Sequence, residues 1–363
     1  MSKVKVGVLG SGFIAITDYY PAFQREDLRE LLEVTAICDT VPGRAAEHCA
    51  QFGFGKPYED YDKMLAEADI DLLMVFTPIP LHYQQVKKAL EHGLNVYVQK
   101  TMTIHTEEAI ELCELAESKG LFLAAAPGQM VMDNHYKPKE LLDTGKFGKI
   151  CYARGLAPHP GYEKQYLFGI DPSWYYKKGG GPMGDCGVYP ITSITGLLGP
   201  EKRVCGFAEI AIPDRYWNGK KLVVEEADNV HLLLEFDGGA VAEISGNFCS
   251  PQFNVGPQVE IFCENGIIRI GGWTMPSMRY EYYCHEPMFG SESGWYRPAP
   301  VISDKPFPAT WHTIWDVIDC VKHLGLGEPS KMSARHAAHV IEIIEKGYEA
   351  AATGKTMDLT TTF

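Results

Sequence analysis

The first 125 residues alternate short apolar runs with longer helical segments, and this alternation constrains the fold more than any other feature of the chain. The nearly continuous apolar runs are residues 4–9, 34–38, 72–76, 95–98 and 121–125. The segments of helical character between them are residues 43–51, 61–67, 81–92 and 106–119. Strands buried on both faces have such a composition, and strands that alternate with helices form parallel sheets. The sequence therefore predicts an α/β fold that begins with a parallel sheet.

The pattern of the chain changes after Pro127, where longer strands and turn signals replace the alternation. Residues 229–236 and 240–245 flank Asp237-Gly238-Gly239, an arrangement that predicts a hairpin. We therefore expect an open, mainly antiparallel sheet in the second half, with helices at residues 310–324 and 333–352 that pack back on the body. Because 363 residues exceed one ordinary core, two domains are predicted, residues 1–126 and 127–363.

Charge and cysteine content narrow the class of partner. The formal net charge of −14 opposes binding to nucleic acid or to an anionic membrane, because both would be repelled overall. No apolar run reaches membrane-spanning length, and the N-terminus lacks the apolar region of a secretory signal. The ten cysteines include no Cys-x-x-Cys pair, so they are expected to be reduced. The sequence predicts a cytoplasmic protein whose partner is neither nucleic acid nor a membrane.

A glycine-rich motif follows the first predicted strand and opens a helix. It reads Gly10-Ser11-Gly12-Phe13-Ile14-Ala15. In a dinucleotide fingerprint the first glycine permits a tight turn, the second lets a pyrophosphate approach the backbone, and a small last residue allows close helix packing. The helix N-terminus then faces the negative charge of the phosphates. The motif predicts a Rossmann domain in which Gly10, Gly12, Phe13 and Ile14 bind a dinucleotide, with a plain glycine-rich turn as the alternative.

An acidic residue at the end of the second predicted strand indicates which dinucleotide binds. Asp39 lies close to the position where such domains place a carboxylate that accepts hydrogen bonds from both ribose hydroxyls. A carboxylate there repels a 2′-phosphate, so the sequence favours NAD over NADP. Arg44 on the following helix makes this preference less sharp, because it could reach a phosphate or simply be solvated. NAD is the predicted cofactor, and NADP is not excluded.

Further motifs, in the same order along the chain, resemble those of the Gfo/Idh/MocA family, which includes glucose-fructose oxidoreductase and inositol dehydrogenase. They are Thr77-Pro78-Ile79-Pro80-Leu81-His82, Ala89-Leu90-Glu91-His92-Gly93, Gly145-Lys146-Phe147-Gly148 and the run from Gly179 to Tyr189. The resemblance extends nearly end to end. It implies an NAD(P)-linked oxidoreductase with a Rossmann domain, a C-terminal α/β domain, and assembly as a homodimer or homotetramer. It also implies cofactor contacts at Thr77, Pro78 and His82, although His82 could instead cap or pack a helix.

The strongest part of the resemblance is Gly179-Gly180-Gly181-Pro182-Met183-Gly184-Asp185-Cys186-Gly187-Val188-Tyr189. The corresponding family segment ends in Asp-x-x-x-His, in which the aspartate and histidine meet substrate beside the nicotinamide. A subset that includes glucose-fructose oxidoreductase and dihydrodiol dehydrogenases has tyrosine in place of this histidine. Tyr189 places the chain in the tyrosine-containing subset. If the segment opens a helix, Asp185 and Tyr189 share one face, because they are four residues apart.

The chain departs from the family pattern at Gln99-Lys100-Thr101, where the family usually has Glu-Lys-Pro. The lysine is retained and both flanking residues differ. Gln99 removes a negative charge that would hold Lys100 protonated, so Lys100 is expected to exchange a proton more easily. The loss of proline at position 101 could also present Lys100 differently. Gln99 and Lys100 are both assigned to cofactor binding, as the family pattern implies.

Oxidising a secondary alcohol needs a hydride acceptor, a base for the hydroxyl proton, and groups that fix the reacting carbon. The candidate catalytic residues are Lys100, Asp185 and Tyr189. We expect Lys100 to hydrogen-bond the reacting oxygen, Tyr189 to relay the proton or act as the base, and Asp185 to bind a neighbouring hydroxyl. Because free tyrosine titrates near ~10, Tyr189 needs a neighbouring cation such as Lys100 in order to ionise near neutrality.

Aromatic residues before this segment indicate a sugar-like substrate, because aromatic rings suit the apolar faces of sugars. Tyr162 and Trp174 are predicted to bind substrate together with the catalytic residues, since both lie on irregular chain. Tyr175 and Tyr176 fit a substrate site and a buried loop anchor equally well. Lys177 and Lys178 are expected to be solvated rather than to bind a phosphate. The predicted partner is a neutral sugar, polyol or glycoside.

Three alternatives remain at the level of sequence. His336 and His339 lie three residues apart on a predicted helix, but no acidic third ligand is obvious, so no metal is predicted. The family also includes non-catalytic nucleotide-binding sensors, and the altered Gln99 and Thr101 fit that class, whereas retention of Lys100, Asp185 and Tyr189 opposes it. A third possibility is an enzyme that keeps its nicotinamide tightly bound and shuttles hydride between two sugars.

Overall fold

A computed structural model of the chain describes residues 2–164, 171–253, 255–272, 278–290, 292–298 and 312–363. The chain forms two compact units, Met1–Val131 with His312–Ile341, and Met132–Trp311 with Glu342–Phe363. This division differs from the predicted one, because residues 312–341 group with the first unit rather than with the second. The physical reason is apolar packing, since Ala334, Ala338 and Ile341 belong to the core of the first unit. A functional boundary at residue 126 stays a prediction.

The first unit is built on a parallel sheet, as predicted. Its strands are β1 (Val4–Leu9), β2 (Leu32–Cys38), β3 (Lys56–Tyr58), β4 (Leu72–Val75), β5 (Asn95–Val98) and β6 (Leu123–Ala125). They lie in the order β3-β2-β1-β4-β5-β6, and every neighbouring pair is parallel. The order reverses direction between β1 and β4, and ligands bind beyond the carboxyl ends of the strands at such a switch point. The Rossmann-type α/β fold is confirmed.

Helices cover this sheet and are amphipathic or short. They are α1 (Tyr20–Phe23), α2 (Glu26–Arg29), α3 (Arg44–Phe52), α4 (Tyr61–Glu67), α5 (His82–Glu91) and α6 (Thr106–Lys119). The buried residues of α5 and α6 join the apolar strands in one core, because their apolar positions recur at helical spacing. Four of these helices match the predicted helical segments, and α1 and α2 are single turns that the apolar pattern does not predict.

The second unit contains an open sheet with helices α7 (Asp133–Asp143) and α8 (Val188–Leu198). Its strands are β7 (Ile150–Pro158), β8 (Glu201–Glu209), β9 (Tyr216–Trp217), β10 (Lys220–Lys221), β11 (Asn229–Phe236), β12 (Val241–Asn247), β13 (Val259–Cys263), β14 (Gly266–Ile270), β15 (Tyr280–Cys284), β16 (Gly294–Tyr296) and β17 (Met357–Asp358). Over the described residues the main sheet has the order β16-β15-β14-β13-β7-β12-β11-β8-β17, and β9 pairs with β10 separately. Only β7 and β12 pair in parallel among these strands, so the prediction of a mainly antiparallel sheet is confirmed.

Two late helices precede β17, α9 (His312–Leu326) and α10 (Ala334–Thr353). The predicted start of the first of them at Thr310 lies outside the described residues. The buried face of α9 carries Ile314, Val317, Cys320 and Val321, and it also carries His312 and Asp316. No helix in the described part of the chain is long and apolar enough to cross a membrane.

Candidate active site

The glycine-rich turn joins β1 to a helical segment that widens into a π-helical turn at Ala15–Tyr19. Gly10 has a φ of +93°, and a Cβ there would lie 2.8 Å from the carbonyl carbon of Phe76, so only glycine fits this turn. A Cβ at Gly12 would meet nothing within 4 Å, which leaves the backbone open to a ligand. Ala15 is fully buried, as the predicted close packing requires. Direct contacts of Phe13 and Ile14 with a cofactor stay predictions.

The carboxylate of Asp39 is held in place by the same turn. It accepts hydrogen bonds from the backbone amides of Ser11 and Val41, each at 2.8 Å. Nη1 of Arg44 lies 3.4 Å from both carboxylate oxygens of Asp39. Arg44 is therefore an ion-pair partner of Asp39, and its contact with a cofactor stays a prediction. The backbone amides fix the orientation of the carboxylate at the end of β2.

Ser11 has further partners that the motif does not predict. Its hydroxyl lies 2.6 Å from the hydroxyl of Tyr20 and 2.7 Å from Nδ1 of His48. Burial raises the pKa of Tyr20 above its ordinary value, so this hydroxyl stays protonated at neutral pH. These contacts join the turn to α1 and α3 and stabilise its conformation.

The segments after β4 and β5 are linked by His82. Its Nδ1 lies 2.8 Å from the carbonyl oxygen of Thr101, and its Nε2 lies 2.7 Å from the carbonyl oxygen of Thr77. The ring is fully buried, and burial lowers the pKa of His82 although both carbonyls favour the charged form. The structure thus gives His82 a packing role at the start of α5. Its predicted contact with the cofactor stays a prediction.

Lys100 lies two residues after the end of β5, at the carboxyl end of the sheet. Its backbone amide donates a hydrogen bond of 2.6 Å to Oε1 of Gln99. The peptide bond between Lys100 and Thr101 is cis, although residue 101 is threonine. The glycine-rich turn, Asp39, the Thr77 segment and Lys100 all follow strand ends, so the first unit brings the predicted cofactor-binding residues to one edge of its sheet.

Asp185 and Tyr189 lie where a π-helical turn, Met183–Gly187, continues into α8. The predicted helix is present, but it begins with this wider turn, a feature that is frequent at functional sites. Both side chains are buried. Tyr162 donates a hydrogen bond to Oδ2 of Asp185, and Sγ of Cys186 lies 3.1 Å from the same oxygen. The second unit therefore brings Tyr162 and Asp185 together.

Tyr162 is part of an aromatic stack. Its ring lies 3.6 Å from the ring of Tyr175, with an angle of 11° between the planes, and 4.3 Å from the ring of His159. Burial raises the pKa of Tyr162 well above its ordinary value, and the carboxylate of Asp185 adds to this effect. Tyr162 is therefore a protonated donor that orients Asp185. Contact of its ring with a substrate stays a prediction.

The remaining aromatic candidates differ in burial. Trp174 is half-buried on the 3₁₀ turn Pro172–Tyr176. Tyr176 is buried, donates a hydrogen bond to Glu163, and packs under the guanidinium of Arg215 at 4.9 Å. Tyr176 is therefore a loop anchor, the second of the two readings that the sequence leaves open. Lys177 and Lys178 are exposed, in agreement with a solvated role.

Sequence reasoning misses the buried cluster around Arg215. This side chain is fully buried and contacts Glu163 at 2.7 Å, Asp228 at 2.6 Å and the carbonyl oxygen of Phe248 at 2.9 Å. Asp228 also accepts from the backbone amides of Ala211 and Ile212. No spacing in the sequence signals this cluster, because its members are distant along the chain. The cluster fixes Glu163, whose chain neighbour Tyr162 orients Asp185.

The predicted catalytic residues divide between the units: Lys100 lies in the first, and Asp185 and Tyr189 lie in the second. Their assembly around one substrate stays a prediction. His336 and His339 are buried, and burial lowers the pKa of His336 to about 3. Among the described residues there is no group of three or more side chains placed to hold a metal ion.

Two family models match the chain. One, described as an oxidoreductase family with an NAD-binding Rossmann fold, matches residues 4–126. The other, described as a GFO/IDH/MocA C-terminal domain, matches residues 135–269. Together the two matches cover more than half of the chain.

Individual relatives act on sugars or polyols according to their names. A dTDP-3,4-didehydro-2,6-dideoxy-alpha-D-glucose 3-reductase of Actinomadura kijaniata is 31% identical over 208 residues, which are 56% of this chain and 59% of the relative. This chain thus matches less than two thirds of that reductase. The scyllo-inositol 2-dehydrogenase (NAD(+)) of Bacillus subtilis (strain 168) is 25% identical over 273 residues, 74% of each protein. A levoglucosan dehydrogenase solved with NADH has a TM-score of 0.86 at 21% identity, over 99% of this chain and 100% of that one, a likeness that establishes the fold alone.

Proposed function

This chain belongs to the GFO/IDH/MocA oxidoreductase family, and from that membership we propose that it is an NAD-dependent sugar or polyol oxidoreductase. The reaction transfers a hydride between nicotinamide and a secondary hydroxyl or keto carbon of a sugar, polyol or glycoside. The observation that carries the proposal is the fixed carboxylate of Asp39 beside a glycine turn whose Gly12 leaves the backbone open. This arrangement fits the ribose and pyrophosphate of NAD.

The residues of the chain have proposed roles that the chemistry requires. NAD, when bound, accepts or supplies the hydride. Lys100 donates a hydrogen bond to the reacting oxygen, Tyr189 relays the hydroxyl proton or acts as the base, and Asp185 binds a neighbouring hydroxyl. Tyr162 holds Asp185 in orientation through its hydrogen bond. Trp174 provides an aromatic surface for the substrate.

The test is the absorbance of reduced nicotinamide when the purified protein and NAD are mixed with free sugars, inositols and aryl glycosides, and again with NADP. A signal with one substrate class would support the proposal and identify the chemistry. Silence across the panel, with NAD binding demonstrated in the same sample, would contradict a releasable-cofactor dehydrogenase. Nucleotide recovered from freshly purified, denatured protein would then point to a hydride shuttle, and its absence would point to a sensor.

Replacing Asp39 with alanine is expected to weaken NAD binding at least ~10-fold, the value of one charge-assisted hydrogen bond. NADP binding should weaken less or improve, because the repulsion of a 2′-phosphate is lost and Arg44 loses its partner. Titration of both nucleotides by protein fluorescence measures the ratio of the two dissociation constants. Asp62→Ala is the matched control, since Asp62 is an exposed carboxylate on α4. An unchanged ratio in Asp39→Ala would show that this carboxylate does not face the ribose.

We also propose that the protein is a homodimer or homotetramer that pairs through the outer face of its open sheet. Phe207, Leu233 and Val241 lie on that face of the adjacent strands β8, β11 and β12, and Phe207 is 81% exposed. An apolar strip on an open sheet is typical of an interface. Phe207→Glu should shift the molar mass from light scattering toward the monomer, whereas Val223→Glu, at an exposed position outside these strands, should not. An unchanged mass in Phe207→Glu would contradict pairing through this face.

A cytoplasmic location and a small-molecule partner complete the proposal. The ten cysteines all lie in the described ranges and none of them forms a disulfide bond, which supports work in a reducing compartment.

A further inference from the structure

A continuous chain of buried polar side chains runs through the first unit from α9 to the residue before Lys100. Asp316 on α9 accepts a hydrogen bond of 2.7 Å from the hydroxyl of Tyr97 on β5. The hydroxyl of Tyr97 lies 2.6 Å from that of Tyr19, and Nε2 of Gln99 lies 3.2 Å from the hydroxyl of Tyr19. Asp316, Tyr97 and Tyr19 are fully buried. We call these four residues the relay.

The hydrogen bonds of the relay all donate in one direction, from Gln99 toward Asp316. The carboxylate of Asp316 can only accept, so Tyr97 uses its single hydrogen there. In the contact between the two tyrosines, Tyr19 must therefore be the donor. The single hydrogen of Tyr19 is then used as well, so Tyr19 accepts from the amide of Gln99. Each of the three contacts has one hydrogen, and the third hydrogen comes from Gln99.

The orientation of Gln99 is fixed independently at its other end. Its Oε1 accepts a hydrogen bond of 2.6 Å from the backbone amide of Lys100. A flipped side-chain amide would place two donors against each other at this contact. Gln99 is therefore the member of the relay that connects it, in a fixed orientation, to the backbone of Lys100.

Burying Asp316 at this position costs free energy, because a buried carboxylate loses its hydration. Nδ1 of His312 lies 2.5 Å from its Oδ2, and the amide of Gly128 lies 3.4 Å from the same oxygen. A Cβ at Gly128 would lie 2.1 Å from Oδ1 of Asp316, so glycine is required beside the carboxylate. Burial raises the pKa of Tyr97 well above its ordinary value, and the Asp316 carboxylate adds to this effect, so Tyr97 stays a donor. Oδ2 of Asp316 thus accepts from Tyr97 and from the amide of Gly128, whereas its Oδ1 has no hydrogen-bond partner among the described residues.

We propose that Asp316 is a positioning residue that acts through Tyr97, Tyr19 and Gln99 to hold Lys100, and that the amide at position 99 is matched to the carboxylate at position 316. The inference rests on the proposed catalytic role of Lys100. It adds a requirement to that role: one end of the relay must donate and the other must accept. The polarity of the pair at positions 99 and 316 matters more than the identity of either residue.

Hydrogen counting predicts what substitutions do. With Gln99→Glu the two tyrosines supply only two hydrogens for three contacts, so one oxygen pair is left without a hydrogen. With Asp316→Asn alone, Gln99 still supplies the third hydrogen, and the amide oxygen introduced at position 316 can still accept. In the double variant the relay can reverse, because the amide at position 316 donates to Tyr97, Tyr97 to Tyr19, and Tyr19 to the new carboxylate. The reversal gives up the 3.4 Å contact with the amide of Gly128, so the rescue is not complete.

The expected result is that Asp316→Asn lowers kcat and the thermal midpoint slightly in the wild-type protein and raises both in Gln99→Glu. Gln99→Glu should lower both the thermal midpoint and the kcat of hydride transfer at saturating NAD, the latter by about tenfold. Asp316→Asn should be mildly harmful alone and should restore most of both losses in Gln99→Glu. Asp319→Asn is the matched control, since it neutralises a half-buried acid on the same helix outside the relay. It should restore neither quantity in Gln99→Glu.

Four outcomes would overturn the proposal. Polarity matching is wrong if the double variant loses as much kcat and thermal midpoint as the two single variants combined. It is also wrong if Asp319→Asn restores these quantities in Gln99→Glu as well as Asp316→Asn does. If Gln99→Glu leaves kcat unchanged, or if the double variant recovers its thermal midpoint but not its kcat, the relay stabilises the unit without positioning Lys100.

A readout without turnover separates failure of this inference from failure of the proposed function. Lysines are reductively methylated with ¹³C, and the NMR signal of Lys100 is assigned by its loss in Lys100→Arg. The signal should move in Gln99→Glu and return in the double variant, even if no sugar substrate is found. A Lys100 signal with the same chemical shift in Gln99→Glu, in Asp316→Asn and in the double variant would overturn the positioning role.

Discussion

Replacing Lys100 with methionine is expected to lower kcat for hydride transfer at least ~100-fold, the usual loss when a group that handles the reacting proton is removed. Methionine keeps an unbranched apolar stem of similar length and removes only the amine. The affinity for NAD should stay within a few-fold, because Asp39 and the glycine-rich turn remain intact. The loss therefore falls on the chemical step and not on cofactor binding.

The measurement is the steady-state rate of nicotinamide reduction with the substrate found in the panel, alongside the dissociation constant of NAD. Lys63→Met is the control, because Lys63 is an exposed lysine on α4 whose removal should leave both constants unchanged. Near-normal turnover in Lys100→Met would remove this lysine from the mechanism. A loss of NAD affinity as large as the loss of kcat would show that Lys100 acts mainly through its predicted contact with the cofactor and not on the reacting proton.

Apolar runs predict the parallel sheet well because its strands are buried on both faces. β1 and β5 have the predicted bounds, as do α4 and α6. The pattern does not predict β3, which is an edge strand of three residues with Pro57 at its centre and only Tyr58 buried. Strand periodicity fails where a strand buries too few side chains to show it.

The candidate site is predictable where its chemistry is local. The steric need for glycine at position 10 and the position of Asp39 both follow from a strand and the turn after it. The relay and the Arg215 cluster are not predictable in this way, because their partners are distant: Tyr97 and Asp316 are 219 residues apart, and Arg215 and Glu163 are 52 apart. A partial signal exists for Asp316, since His312 and Asp316 interrupt the apolar face of α9 at a spacing of four.

The largest effect on stability is expected from Arg215→Met. Arg215 is fully buried between the carboxylates of Glu163 and Asp228, and its removal leaves both charges in a site from which water is excluded. Breaking a buried ion pair in this way costs about 3–5 kcal/mol of the free energy of unfolding. Methionine fills much of the volume, so the loss reports mainly the uncompensated charges and not a cavity.

Urea denaturation of Arg215→Met and of Arg335→Met measures this effect against a matched control. Arg335 on α10 pairs with Glu117 on α6 at the surface, away from the proposed interface, and its loss should cost under about 1 kcal/mol. Equal losses in the two variants would show that the buried cluster contributes no more than a surface pair. Arg215→Met should also lower the turnover of each folded molecule. The reason is that Glu163 adjoins Tyr162 in the chain, and Tyr162 orients Asp185. Turnover that follows the folded fraction alone would confine Arg215 to stability.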